Sequence, residues 1–131
     1  MDDGTLITGR TSDLMGCASA MLLNSLKYLA GIPDKELLLP RRFIEPVQGL
    51  KTEYLGGHNP RLHTDEVLVA LAVSAAEDPN AALALKQLPR LKGLDAHSTV
   101  ILSSVDTNTF RRLGLNVTSD PVYQTPALYH R

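Results

Sequence analysis

Between Thr99 and Thr118 the chain passes from an apolar, β-branched run through a short polar helix pattern and a glycine to a second β-branched run. Thr99-Val100-Ile101-Leu102-Ser103 does not alternate apolar with polar residues, so it reads as a strand buried on both faces. Asp106 is the expected cap of a helix through Phe110 and Leu113, which Gly114 ends, and Leu115-Asn116-Val117-Thr118 is the next strand. This order is that of a βαβ unit, with a connection close to the roughly dozen residues that a parallel crossover needs. It commits the chain to an α/β fold.

The remaining residues read as mainly helical. Thr5-Leu6-Ile7-Thr8, closed by Gly9, is a short first strand. Leu14, Ala18, Met21, Leu22, Leu26 and Leu29 recur at helical spacing between a Thr11 or Ser12 cap and Gly31, so a helix spans about 12–30. Gly16-Cys17-Ala18-Ser19-Ala20 keeps its first half thin enough for close backbone packing. Pro40 and Pro46 both suit helix starts, and Val47, Leu50 and Tyr54 share one face of a helix over about 46–55, ended by Gly56-Gly57. Thr64 is the expected cap of a third helix, with Val67, Leu68, Leu71 and Ala75 on its buried face. Asp78-Pro79 starts a fourth, which runs to Pro89. The expected architecture is therefore α/β, with a small mixed or parallel three-stranded sheet near residues 5–9, 99–104 and 115–119 packed against four to five helices. The segment 121–131 is an extended tail. With two Phe, four Tyr and no Trp, the core must be built from Leu, Val, Ile and Ala.

Composition narrows the function classes. A chain of 131 residues fits one domain with a modest core. Thirteen Lys plus Arg stand against fourteen Asp plus Glu, so charge gives no reason to expect nucleic acid or an anionic membrane as a partner. No segment approaches the roughly 18 apolar residues that span a bilayer. Cys17 is the only cysteine, which excludes an internal disulfide and makes the reducing cytoplasm the expected compartment. Its apolar surroundings read as packing, not as those of a nucleophile. His58 and His63 fall short of a zinc ligand set, so no metal is expected.

Chemistry-bearing residues concentrate in Asn59-Pro60-Arg61-Leu62-His63-Thr64-Asp65-Glu66, which runs into the apolar pattern of the third helix. Capping alone accounts for Thr64, Asp65 and Glu66, because the N-terminal end of a helix favours hydroxyls and carboxylates. Arg61 and His63 are what capping leaves over. Read functionally, His63 is an acid/base or hydrogen-bonding group oriented by Asp65 or Glu66, and the planar fork of Arg61 holds a carboxylate or phosphate. Gly9-Arg10-Thr11-Ser12, at a strand-to-helix junction, reads either as a hydroxyl cap or as an anion site. It is not a P-loop, lacking the lysine and the two-glycine spacing. His97-Ser98 stands at the N-terminal edge of the apolar strand, whereas Ser103, Ser104 and Asp106 stand at its carboxyl end, where ligands of open α/β sheets gather.

Several stretches taken together resemble one bacterial family. These are Gly9-Arg10-Thr11-Ser12-Asp13-Leu14-Met15-Gly16, Ile44-Glu45-Pro46-Val47-Gln48, Asn59–Leu68, Ala96–Ser103 and Phe110–Thr118, in this order along nearly the whole chain. The chain is similar to the C-terminal domain of uncharacterised protein family 0371, also called domain of unknown function 1846. The resemblance implies a longer protein of roughly 500 residues, whose upstream α/β region carries a Gly-rich, Lys-containing stretch like a nucleotide phosphate loop. No such stretch lies in these residues, and no cofactor is encoded in them. The resemblance brings no reaction with it. It implies that Arg61–Glu66 and His97-Ser98 belong to the family pattern and face the upstream domain. Together they would complete a site for a nucleotide or phosphorylated ligand, with His63, Asp65 and Glu66 as the acid/base group and Arg10, Thr11, Ser12, Arg61, His97 and Ser98 as ligand contacts. The alternative is a non-catalytic packing module, or a homo-oligomer joined through the small-residue helix Gly16–Ala20.

Overall fold

The computed structural model describes residues 7–99 and 101–120. Helix α1 spans Cys17–Ala30, α2 Arg41–Gly49, α3 Thr64–Ser74, α4 Pro79–Leu85 and α5 Ser104–Arg112. A wider π-helical turn, Leu50–Tyr54, extends α2, and a 3-10 turn, Leu88–Leu91, follows α4. Strands β1 (Asp95–Ser98) and β2 (Asn116–Ser119) pair in parallel around α5, with Asp95 opposite Asn116 and Ser98 opposite Ser119. The βαβ order and five helices, within the four to five expected, follow the sequence pattern, with shifted bounds.

The sheet is smaller than expected. Among the described residues it has two strands, not three. Residues 5 and 6 of the expected first strand lie outside the described residues, as does the expected tail 121–131. The part that is described, Ile7–Gly9, is held by α1 and not by the sheet. Asn24 Nδ2 donates to Thr8 O at 2.8 Å, and a Cβ on Gly9 would lie 2.2 Å from Met21 N. This close approach is the use made of the thin first half of α1, where Ala18 and Ser19 are buried.

Among the described residues the second strand is Asp95–Ser98, upstream of the expected 99–104, of which Val100 lies outside the described residues and Ile101 forms only an isolated β-bridge. Its register is fixed at both ends by β2, through Asn116 N to Leu94 O and Asp120 N to Ser98 O. Its residues alternate exposed with half-buried, unlike a strand covered on both faces. Downstream, Ser103 already caps α5, its Oγ accepting from Asp106 N at 3.2 Å, so Asp106 is not the cap.

Helix starts shift for comparable reasons. α1 begins at Cys17 because Ser12 Oγ turns the chain by accepting from Leu14 N and Met15 N. Thr11 Oγ1 still serves the helix, accepting from Cys17 N at 3.2 Å. Gly31 ends α1 in the left-handed region, φ 74°, as its position predicts. α2 starts after Pro40 and runs through Pro46. The bond that Pro46 cannot donate would fall on the carbonyl of exposed Arg42, where water can replace it.

Leu22, Leu26, Ile44, Leu62, Val67, Leu71, Leu91 and Phe110 are the large apolar side chains of the core, each at most 1% exposed. Phe110 is its one fully buried aromatic residue among those described, in keeping with an aliphatic core. α3 lies against α1, α2, α4 and α5.

Candidate functional site

Two loops that are far apart in sequence are stitched together at the start of α1. Leu62 N donates to Leu14 O at 3.0 Å, Gly16 N donates to Leu62 O at 3.3 Å, and the buried Ser19 hydroxyl donates to Leu62 O at 3.0 Å. Met15 and Leu62 form a parallel bridge. Asn59 Oδ1 accepts from Arg61 N at 3.1 Å, which closes the turn over Pro60, and Arg61 Nε donates to Ser12 O. The Arg10–Ser12 and Arg61–Glu66 segments, separate in the sequence reading, thus share one edge.

The N-cap of α3 is His63, not Thr64. Glu66 Oε1 accepts from His63 N at 2.7 Å, the half of a capping box in which the third helical residue reaches back. The same oxygen accepts from Lys51 Nζ at 2.8 Å and lies 3.3 Å from His63 Nδ1. Burial would raise the Glu66 pKa, but the hydrogen bonds from Lys51 and the His63 backbone, with the Lys51 charge, outweigh it and hold the carboxyl below its usual 4.5. Glu66, not Asp65, therefore orients the His63 ring. Asp65 is exposed and accepts from Glu66 N. Lys51, supplied by the π-helical turn, also donates to Arg61 O at 2.6 Å, so it braces the whole loop.

Thr64 serves a different purpose from capping. Fully buried, it donates its backbone N–H and its hydroxyl, both at 2.9 Å, to Asp106 Oδ1. Asp106 is itself 8% exposed, in the first turn of α5. This carboxylate ties the start of α3 to the start of α5.

The result is a cleft of about 170 Å³ lined by Gly16, Cys17, Ala18, Asn59, Arg61, Leu62, His63, Leu102, Ser103 and Asp106. The N-terminal ends of three helices open on it: α1 through Gly16–Ala18, α3 through His63 and α5 through Ser103. Each such end carries roughly half a positive elementary charge. Among the described residues, the N–H groups of Ala18 and Ser19 on α1 and of Ser104 and Val105 on α5 have no hydrogen-bond partner. With Nδ1 of His63 turned to Glu66, its Nε2 has no protein partner either.

Of the expected site residues, Arg61 and His63 line this cleft. Glu66 and Thr11 support it from behind, and Ser12 does so through its carbonyl. Arg10 is exposed and does not line it. His97 and Ser98 face a neighbouring cleft of about 230 Å³ beside Met21, Phe110 and Val117, which shares Cys17, Ala18 and Leu102 with the first. His97 lies between Thr118 Oγ1, 2.7 Å from its Nδ1, and Asp120 Oδ1, 3.1 Å from its Nε2. All three side chains stand on the exposed sheet surface, where they clasp the strands to each other. Asn59, Ser103 and Asp106 were not among the expected contacts. The carboxyl-end rule for α/β strands already pointed to Ser103 and Asp106.

No helix among the described residues is long and apolar enough to cross a membrane, and none of their His, Cys, Asp and Glu side chains form a metal-holding group of three or more. The family model described as domain of unknown function DUF1846, C-terminal, matches residues 1–129. The chain belongs to this family. A UPF0371 protein of Corynebacterium diphtheriae is 61% identical over 129 residues, covering 98% of this chain. One from Corynebacterium urealyticum is 60% identical over the same length, and one from Streptococcus pyogenes is 47% identical over 131 residues. The chain spans 26% of the length of each of these relatives.

Proposed function

We propose that this domain supplies the phosphate subsite of a larger ligand site, the remainder of which lies on the part of the longer relatives that this chain does not span. The carrying observation is the convergence of the α1, α3 and α5 N-terminal ends on one cleft that Arg61 and His63 also line. Backbone N–H groups at helix starts hold anionic oxygens well, and the three dipoles act in the same sense. Arg61 adds a permanent cation, and His63 adds a donor held in place by Glu66. A cleft of about 170 Å³ is smaller than the roughly 300–1,000 Å³ that encloses a whole small molecule. It matches a phosphoryl group whose remainder, a nucleoside or a sugar, is held elsewhere. His63 is the group placed to protonate a phosphate oxygen.

The packing-module alternative draws less support, because the small-residue stretch of α1 is already occupied by Gly9 and Leu62 of the same chain. A thermal-shift series on the intact protein with orthophosphate, sugar phosphates and nucleotides tests the proposal. A ligand at 100 times its Kd stabilises by about 2.7 kcal/mol. That shift should shrink at least tenfold in apparent affinity in Arg61→Met, since a hydrogen bond to a charged group is worth about 1.5–3 kcal/mol. Undiminished affinity in Arg61→Met and in His63→Ala would remove this cleft from consideration.

A further inference from the structure

A carboxylate is the odd member of a cleft built to attract anions. Asp106 is 8% exposed and lines it, and Oδ1 takes both donors of Thr64. Oδ2 has no hydrogen bond among the described residues. Among the described residues no fully buried side-chain oxygen or nitrogen lacks a partner, so Oδ2 is not fully buried, and Asp106 lines the cleft. A nearly buried carboxylate oxygen beside an anion subsite repels a bare phosphate unless the ligand brings a donor to it.

Resting on the phosphate reading above, we infer that Asp106 Oδ2 accepts a hydrogen bond from a hydroxyl next to the phosphate, so that the ligand is a hydroxylated phosphate ester, as in a polyol or sugar phosphate. Two observations favour a neutral hydroxyl over a cation. Three helix N-terminal ends and Arg61 make the cleft electropositive, which disfavours a metal ion or an ammonium group. Among the described residues no second carboxylate lines the cleft to share a divalent ion. The hydroxyl answers this unfilled acceptor without adding charge.

Calorimetric titration of the intact protein with methyl phosphate, glycerol 2-phosphate and orthophosphate tests this, with and without magnesium. The unaltered protein should bind the glycerol ester about tenfold or more tightly than the methyl ester. Asp106→Asn keeps an acceptor for Thr64 while turning the free oxygen into an N–H donor, so it should abolish that preference and retain methyl phosphate. Thr64→Val removes a bond to the same carboxylate without touching Oδ2, and should keep the preference, which separates ligand contact from loop support. Equal binding of the two esters by the unaltered protein overturns the inference and leaves the phosphate subsite standing. So does a preference that survives Asp106→Asn, or ester binding that appears only with magnesium. If neither ester nor orthophosphate binds, the phosphate reading itself falls. Should Asp106→Asn fold poorly, the ester comparison on the unaltered protein still decides.

Discussion

Replacing Asp106 by alanine removes the one acceptor for two donors of a fully buried residue. Thr64 is 0% exposed, and its N–H and hydroxyl both lie 2.9 Å from Asp106 Oδ1. A buried donor left without a partner costs about 1–3 kcal/mol, so two orphans set a ceiling near 6 kcal/mol. Asp106 lines a cleft, and water entering the vacated space will satisfy part of that loss. The expected destabilisation is therefore about 2–4 kcal/mol. Thr64→Val keeps the branched shape, deletes only the hydroxyl and leaves the N–H bonded, so it should cost about 1 kcal/mol.

The two changes share one interaction. Once the hydroxyl is gone, losing Asp106 orphans one donor and not two. The double variant should accordingly cost less than the sum of the singles by about 1–2 kcal/mol. Urea unfolding of the four proteins gives these differences as midpoint shifts at constant slope. Strict additivity would refute the argument. So would an Asp106→Ala cost below about 1 kcal/mol, since it would mean that Thr64 finds other partners and that the starts of α3 and α5 are not held by this carboxylate.

Gly9→Ala should destabilise by about 1–3 kcal/mol, read as a lowered Tm, because its Cβ would meet the backbone of Met21 and Cys17, which cannot swing aside. Gly49→Ala should do the reverse. It sits in helical geometry with only Glu53 Oε2 nearby at 3.9 Å, so losing glycine's backbone freedom should add about 0.5–1 kcal/mol. The Glu66 carboxyl, held below its ordinary 4.5, contributes stability that is present above 4.5 and is lost as pH falls through the folded-state value. Glu66→Gln should therefore flatten the acid limb of a Tm-against-pH profile below pH 4.5 and leave the slope near neutrality unchanged; an unaltered acid limb would contradict the Lys51–Glu66–His63 arrangement.

The sequence pattern made the periodic elements legible and blurred their ends. Leu22, Leu26, Val67 and Leu71 mark buried helix faces because burial imposes a 3.6-residue period that survives in any context. Hydroxyl and carboxylate residues attract the cap assignment for α1 and α3, yet the N-caps are Gly16 and His63, and the hydroxyls before and at these helix starts serve other bonds. Where each helix starts depends on a partner distant in sequence: Leu62 for the loop before α1, and Asp106 for Thr64. The same limit applies to the candidate site. Arg61 and His63 stood out as residues that capping does not explain, and both reach the cleft. The local pattern assigns Asp106 a capping role, because Asp before a helix pattern commonly has one. Nothing local shows that Ser103 takes that role and turns the carboxylate inward. His97 is the weaker candidate in the sequence, and here a cross-strand Thr118 and Asp120, set only by the register of β1 with β2, absorb both ring nitrogens.

Bringing three helix starts together has an electrostatic cost, since like dipole ends repel in a partly dry cleft. The parallel βαβ unit dictates one of them: a parallel crossover leaves β1 at its carboxyl end, so the start of α5 must lie there. The Met15–Leu62 bridge dictates the other two by aligning the approaches to α1 and α3. Asp106 offsets part of the resulting positive field from within, and Glu66 does so at the edge. Asp106 is then a structural counterion to the helix ends, and its presence does not by itself argue against the proposed anion subsite. On the phosphate reading proposed above, what it changes is which anion would fit. On that reading a bare phosphate would meet positive helix ends and a fixed negative oxygen together, whereas an ester carrying a neighbouring hydroxyl would satisfy both, and selectivity would follow from the same carboxylate that holds α3 to α5.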